Sequence, residues 1–187
     1  MHLKVYNAII YTKLIITSLV FSYDGFDREV FVTKNVRLEV KNFAADFEIP
    51  WGMAFLPDTS MLVTDLSGSL YRVYQDGDKD VIKGMPNVYY KGQGGLLDVE
   101  VHPDFLENNF IYVSYSQPKK GKAFTAVAKA KLIRNQLEDF QIIYSTEYKH
   151  YSRKTVHFGS RFAISGDYLY FSICLLYTSP SPRDRVL

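Results

Sequence analysis

GLLDVEVHPDFLENNFIYVS, from Gly95 to Ser114, is the stretch that decides the fold. An apolar run meets a His-Pro-Asp turn and returns as a second apolar run rich in β-branched and aromatic residues, the pattern of two antiparallel strands with a short connection. The same plan stands upstream in WGMAFLPDTSMLVT, Trp51 to Thr64, and downstream in GSRFAISGDYLYFS, Gly159 to Ser172. Further short strands are predicted at 69–74, 125–132 and 140–144, separated by turns at Ser67-Gly68, Pro118 to Lys122 and Arg134-Asn135. The looser alternation from Val30 to Val40 predicts one strand that closes a ring of sheets. Repeated antiparallel units with the turn in the same place are the mark of propeller blades, small sheets that cannot bury both faces alone, and about two and a half are expected here. No helix longer than a turn or two is indicated, and an immunoglobulin-like sandwich is the structural alternative.

Composition agrees with a sheet protein. Of 187 residues, 47% are hydrophobic and 16% aromatic, the aromatic share being almost all Tyr and Phe, which excludes a disordered chain. Lys+Arg 22 against Asp+Glu 20 leaves a net charge of +2, so no electrostatic case for nucleic acid exists. The densest basic group, Lys119, Lys120 and Lys122 around Gly121, has the composition of a solvated hairpin tip. Cys174 is the single cysteine, so neither a disulfide nor a cysteine metal site is available.

Three segments carry a resemblance. EIPWGMAFLPD at Glu48 to Asp58, GQGGLLDVEVHPDF at Gly92 to Phe105 and HFGSR at His157 to Arg161 are similar, in order and in spacing, to the glucose/sorbosone dehydrogenase family of soluble quinoproteins. The resemblance covers about residues 43–173. It implies an all-β fold, a partial six-bladed β-propeller occupying residues 30–173. The implied activity is oxidation of an aldose at C1 to a lactone by hydride transfer to pyrroloquinoline quinone (PQQ), with calcium as a second cofactor. A small-molecule sugar and an external electron acceptor are the implied partners. A non-catalytic propeller of the same superfamily that binds protein or carbohydrate is the alternative, because fold does not fix function.

The resemblance makes His157 the general base that removes the proton of the sugar C1 hydroxyl, and imidazole suits this because its ordinary pKa lies near neutrality. It places Gln93, within GQGG, beside the quinone, where the small neighbours allow a sharp turn and close approach of a flat ligand. Arg161 stands four residues after His157, on the same side of a regular strand. Two roles remain open for it: a fork to the carboxylates of the cofactor, or an ion pair inside the propeller. Asp98 and Asp104 are weaker candidates, Asp104 and its companion His102 are expected to be structural turn residues, and Trp51 to pack between blades. Asp65, Asp76, Asp78 and Asp80 lack the glycine and glutamate of a calcium loop and are expected in a solvated turn. The family's calcium ligands and most of its PQQ ligands fall beyond Ile173, so no metal ligand is assigned here.

The two ends differ from the middle. His2, Lys4 and Lys13 precede the apolar LIITSLVF of Leu14 to Phe21, which predicts a signal peptide within residues 1–25, hence a periplasmic or secreted product without stable membrane insertion once the leader is removed. CLLYTSPSPRD, Cys174 to Asp184, resembles a translated transposase sequencing adapter. Residues 174–187 are therefore expected to be non-native and the chain to be an N-terminal fragment.

Overall fold

A computed structural model describes residues 28–156 and 158–173. The leader expected at 1–25, His157 and the tail expected at 174–187 lie outside the described residues. The chain divides into two compact units, residues 1–42 and 43–187.

In the first unit β1 (Arg28–Val32) and β2 (Arg37–Lys41) form an antiparallel hairpin. The expected single strand is thus two, because a turn interrupts it. Thr33 N donates to Val36 O at 2.9 Å, and the Thr33 hydroxyl accepts from Val36 N at 3.0 Å. A threonine side chain closing Lys34-Asn35 is a local device that loose apolar alternation hides.

The second unit contains two four-stranded meanders and the start of a third. The first is β3 (Pro50–Phe55), β4 (Met61–Asp65), β5 (Leu70–Val73) and β6 (Lys79–Ile82), in sequential order. The second is β7 (Leu96–Val101), β8 (Phe110–Lys119), β9 (Lys122–Ile133) and β10 (Gln136–Tyr144), also in order, with the one-turn helix α1 (Phe105–Asn108) between β7 and β8. The pair β11 (Phe162–Ser165) and β12 (Tyr168–Phe171) opens the third. Sequential antiparallel order in repeated sheets is the blade plan, not that of a sandwich with crossing connections.

Strand β6 escapes a sequence reading for a physical reason. In KDVI only Ile82 is buried, since this outermost strand leaves its other side chains partly or fully exposed. The apolar sides of the two complete sheets meet in one core, where Leu62, Leu70 and Ile82 of the first blade join Leu96, Val99, Ile111, Val113 and Tyr115 of the second. Ala126, Ala128 and Ala130 alternate along β9 and let the sheets approach closely.

The two complete blades carry the same irregularity. Between Pro50 and Met53 in β3, and between Leu96 and Val99 in β7, two residues face one on the partner strand. Such a bulge frees backbone N–H groups, which need other acceptors. Gly52 N donates to Thr64 Oγ1 at 2.8 Å, Asp98 N to Ser114 Oγ at 2.9 Å, and Arg161 N to Ser172 Oγ at 3.0 Å. These three hydroxyls end the three repeated segments, so the repeat is one of hydrogen-bond chemistry as well as of turns.

Asp65 corrects an expectation. It is 1% exposed, not in a solvated turn. Its Oδ2 accepts from Glu48 N at 2.7 Å and Ile49 N at 3.1 Å; its Oδ1 accepts from Ser67 N at 3.0 Å and the Ser67 hydroxyl at 2.7 Å. One carboxylate thus fastens the entry to β3 and the turn after β4. Burial pushes the Asp65 carboxyl up, yet the four hydrogen bonds together outweigh it and hold the group below its usual range. A depressed folded-state value stabilises the protein above the unfolded value of about 4 and ceases to do so as pH falls through the folded value. Asp65→Asn keeps one acceptor but sets an NH2 against backbone donors, and is expected to cost about 2 kcal/mol at neutral pH, with a smaller difference from the parent in acid. Urea unfolding of both proteins at pH 7 and pH 3 measures this; an equal difference at the two pH values overturns the account.

Candidate functional site

The connection before β7 and the connection after β10 lie at the same end of the second blade, because four antiparallel strands enter and leave on one side. This brings GQGG against the segment that leads to HFGSR. Gln93 N donates to Thr155 O at 2.7 Å. Gly92 has φ +62, and a Cβ there would lie 2.3 Å from Thr155 O. A Cβ on Gly94 would lie 2.7 Å from Tyr89 O and 3.2 Å from the Phe158 ring. At Gly95 it would lie 1.9 Å from Leu66 O. These glycines make room for the protein's own chain, which is what lets the bend turn as sharply as expected.

Gln93 is exposed at the tip of this bend. Thr155 and Phe158, which flank the undescribed His157, both touch the glycine bend, so the two motifs are neighbours in space although some 60 residues separate them. Phe158 is buried with Leu66, Leu97 and Ala123, against which Trp51 and Tyr89 pack. Trp51 therefore sits between blades, half-buried, and its Nε1 is buried without a hydrogen-bond partner among the described residues.

Arg161 Nη1 lies 2.9 Å from Asp98 Oδ1, and Nη2 donates to Trp51 O at 3.4 Å. Asp98 Oδ2 accepts from Phe162 N at 2.8 Å. The Asp98 side chain is 7% exposed and that of Arg161 66%. Beside the guanidinium an open pocket of about 420 Å³ is lined by Pro50, Trp51, Gly52, Met53 and Val63 as well as Arg161. Of the two roles open for Arg161, the ion pair inside the propeller is present, and the exposed remainder of the guanidinium keeps donors for an anion.

His102 stands apart. Its Nδ1 accepts from Asp104 N at 3.0 Å and is 3.0 Å from Asn108 Nδ2, so the imidazole fastens the turn after β7. That turn is at the far end of β7 from Gly95, about 20 Å away at strand spacing. Lys119, Lys120 and Lys122 occupy the β8–β9 hairpin tip, where their ammonium groups lie 5.7, 6.0 and 5.0 Å from the Tyr148 ring. Among the described residues no three of His, Cys, Asp and Glu converge as a metal-ligand set. No helix among them is long and apolar enough to cross a membrane.

Sequence reasoning undervalued Asp98 and missed the hydroxyls of Thr64, Ser114 and Ser172. The available signal was the recurrence of Thr or Ser at the end of each repeated segment. Nothing local marks Asp98, whose partners are 63 and 64 residues away.

The comparisons with known proteins come to the same place. The profile of the Glucose / Sorbosone dehydrogenase family matches residues 47–184. The chain is 39% identical over 124 residues to an uncharacterised protein of Synechocystis, covering 61% of this chain and 29% of that one. It is 35% identical over 141 residues to an aldose sugar dehydrogenase of Escherichia coli, covering 72% of this chain and 38% of the relative. The chain thus spans about a third of the length of these relatives. In fold it is similar to the PQQ-bound form of an aldose sugar dehydrogenase from Streptomyces coelicolor, with a TM-score of 0.57 over 73% of this chain and 38% of that one, at 21% identity. With the repeated blades and the family's motifs packed at one end of them, the match shows that this chain belongs to the glucose/sorbosone dehydrogenase family.

Proposed function

We propose that the complete protein is an exported quinoprotein oxidoreductase that oxidises an aldose at C1 to the lactone. The observation that carries the reading is the packing of the Gln93 bend against Thr155 and Phe158, on either side of His157, at the end of the blades where Arg161 is held. The name of the Escherichia coli relative, an aldose sugar dehydrogenase, supports the substrate class, and that of the Streptomyces structure supports the cofactor. The residues present fit a cofactor of PQQ chemistry, which carries three carboxylates and quinone oxygens. Gln93 offers an exposed amide, and Arg161 an exposed cation whose one acidic partner among the described residues leaves N–H groups to spare.

When bound, PQQ supplies the carbon that accepts the hydride from C1. His157 in its neutral form would take the proton of the hydroxyl on the same carbon, so that C1 gives up a hydride, its oxygen gives up a proton, and the C1–O bond becomes a carbonyl. Gln93 orients cofactor or sugar by its amide, and Arg161 binds a carboxylate of the cofactor. Calcium belongs to the same proposal, with its ligands beyond Ile173, as does an external acceptor for the two electrons. The leader in residues 1–25 directs export to the periplasm or the medium. The test is reconstitution of the full-length protein with PQQ and calcium, followed by dye reduction with a panel of aldoses. Turnover that needs both PQQ and sugar is expected; folded protein that binds PQQ and reduces no dye overturns the reading.

A further inference from the structure

Gly52, Asp98 and Arg161 occupy one position of the repeat, each six residues before the aspartate of the turn that follows, and each donating its backbone N–H to the equivalent hydroxyl of the next strand. Since that hydroxyl satisfies the backbone in every blade, the side chain at this position is free to do something else. In the first blade it is absent, and a Cβ on Gly52 would lie 2.6 Å from Asp98 Oδ1. In the second it is a carboxylate, nearly buried, in the space the glycine leaves. In the third it is the guanidinium that meets that carboxylate and reaches on to Trp51 O of the first. One position thus links three consecutive blades.

The consequence concerns the segment before β11. Its beginning is held where Gln93 N bonds Thr155 O, and its end where Asp98 takes Arg161 Nη1 and Phe162 N. Both anchors come from the same short stretch, Gln93 to Asp98. We propose that Asp98 is a positioning residue for the chain that follows His157, clasping Arg161 and Phe162 as the Gln93 bend holds Thr155 on the other side.

A role confined to overall stability fits less well. The Arg161 side chain is 66% exposed, and a pair with one partner in solvent contributes little to the fold. Phe162 N, by contrast, is a backbone group whose acceptor sets where β11 begins, so losing the carboxylate frees this segment first.

The link from segment to turnover rests on the dehydrogenase reading, whereas the clasp itself does not. Two variants of the full-length protein separate them. Asp98→Asn removes the charge and keeps an acceptor, and Gly52→Ala sets a Cβ 2.6 Å from the carboxylate, and 3.1 Å from the Asp98 Cα and 3.2 Å from Leu97 O, while leaving both partners in place. Without cofactor, amide hydrogen exchange across residues 156–162 is expected to quicken by about tenfold in both variants, with little change elsewhere in the sheets. Reconstituted, both are expected to lose about tenfold in kcat, with KM for the aldose within about twofold and a thermal midpoint close to the parent's. Unchanged exchange at 156–162 overturns the clasp, whether or not the parent protein turns over. Faster exchange with kcat intact overturns the positioning role. Faster exchange spread through all the sheets, with a lowered midpoint, makes Asp98 a fold-wide support and overturns the proposal as well. A parent protein that binds PQQ but does not turn over counts against the dehydrogenase reading alone, and exchange then decides the clasp.

Discussion

Gly95→Ala is expected to destabilise the protein by about 3 kcal/mol or to prevent its folding. The added Cβ would sit 1.9 Å from Leu66 O, which is backbone and cannot turn aside as a flexible side chain would. Relief by movement is blocked on both sides. Gly95 N donates to Ser116 Oγ at 3.2 Å, Gly95 O accepts from Ser116 N at 2.8 Å, and the next residue, Leu96, donates to Leu66 O at 3.2 Å. Leu96 and Leu97 are fully buried, so shifting the bend drags the core of the second blade with it. Gly121→Ala is the control: φ is +73 there, yet nothing lies within 4 Å, so only the backbone strain of about 1 kcal/mol is expected. Urea unfolding of the full-length protein distinguishes the two. A Gly95 variant no less stable than the Gly121 variant would show that the first and second blades do not approach as described.

His157→Gln is expected to lower kcat by about 10²–10⁴-fold while leaving the affinity for PQQ within a factor of about two. Glutamine preserves polarity and approximate reach, but its amide does not accept a proton near neutrality. The pH profile supplies the sharper readout. The proposed base role calls for a neutral imidazole, so activity of the parent is expected to rise as pH passes through the ordinary imidazole range, and the residual activity of the variant to lose that limb. Dye reduction by the reconstituted protein, followed from pH 5 to 8, measures both effects. A variant that keeps its rate removes His157 from the base role, and one that keeps the rising limb moves the titrating group elsewhere.

Much of the fold was legible because its determinants are local. Strand alternation, the Pro-Asp and Gly-Asp turns and the hairpin at Pro118 to Lys122 are written within ten or so residues of one another, and the blades follow from them. Where local signals were weak, the reading failed in definable ways. KDVI at Lys79–Ile82 passed as loop since an edge strand need bury only one side chain, and the Val30 to Val40 stretch passed as one strand since a threonine hydroxyl closes its turn. Asp65 was grouped with its exposed neighbours Asp76, Asp78 and Asp80, and only the approach of Glu48 and Ile49 makes it a buried acceptor of four hydrogen bonds.

The candidate site divides along the same line. Gln93, His157 and Arg161 could be picked out by the motifs around them, and the sequence alone determined the repeated blade, its turns and the family to which those motifs point. The tertiary structure alone decided that the glycines of the bend are filled by Thr155, Phe158 and Leu66, and that Arg161 has Asp98 for a partner. Alternation and turn chemistry act between neighbours along the chain, whereas room for a Cβ and the pairing of a buried carboxylate depend on which blade lies against which, and no short stretch of sequence records that.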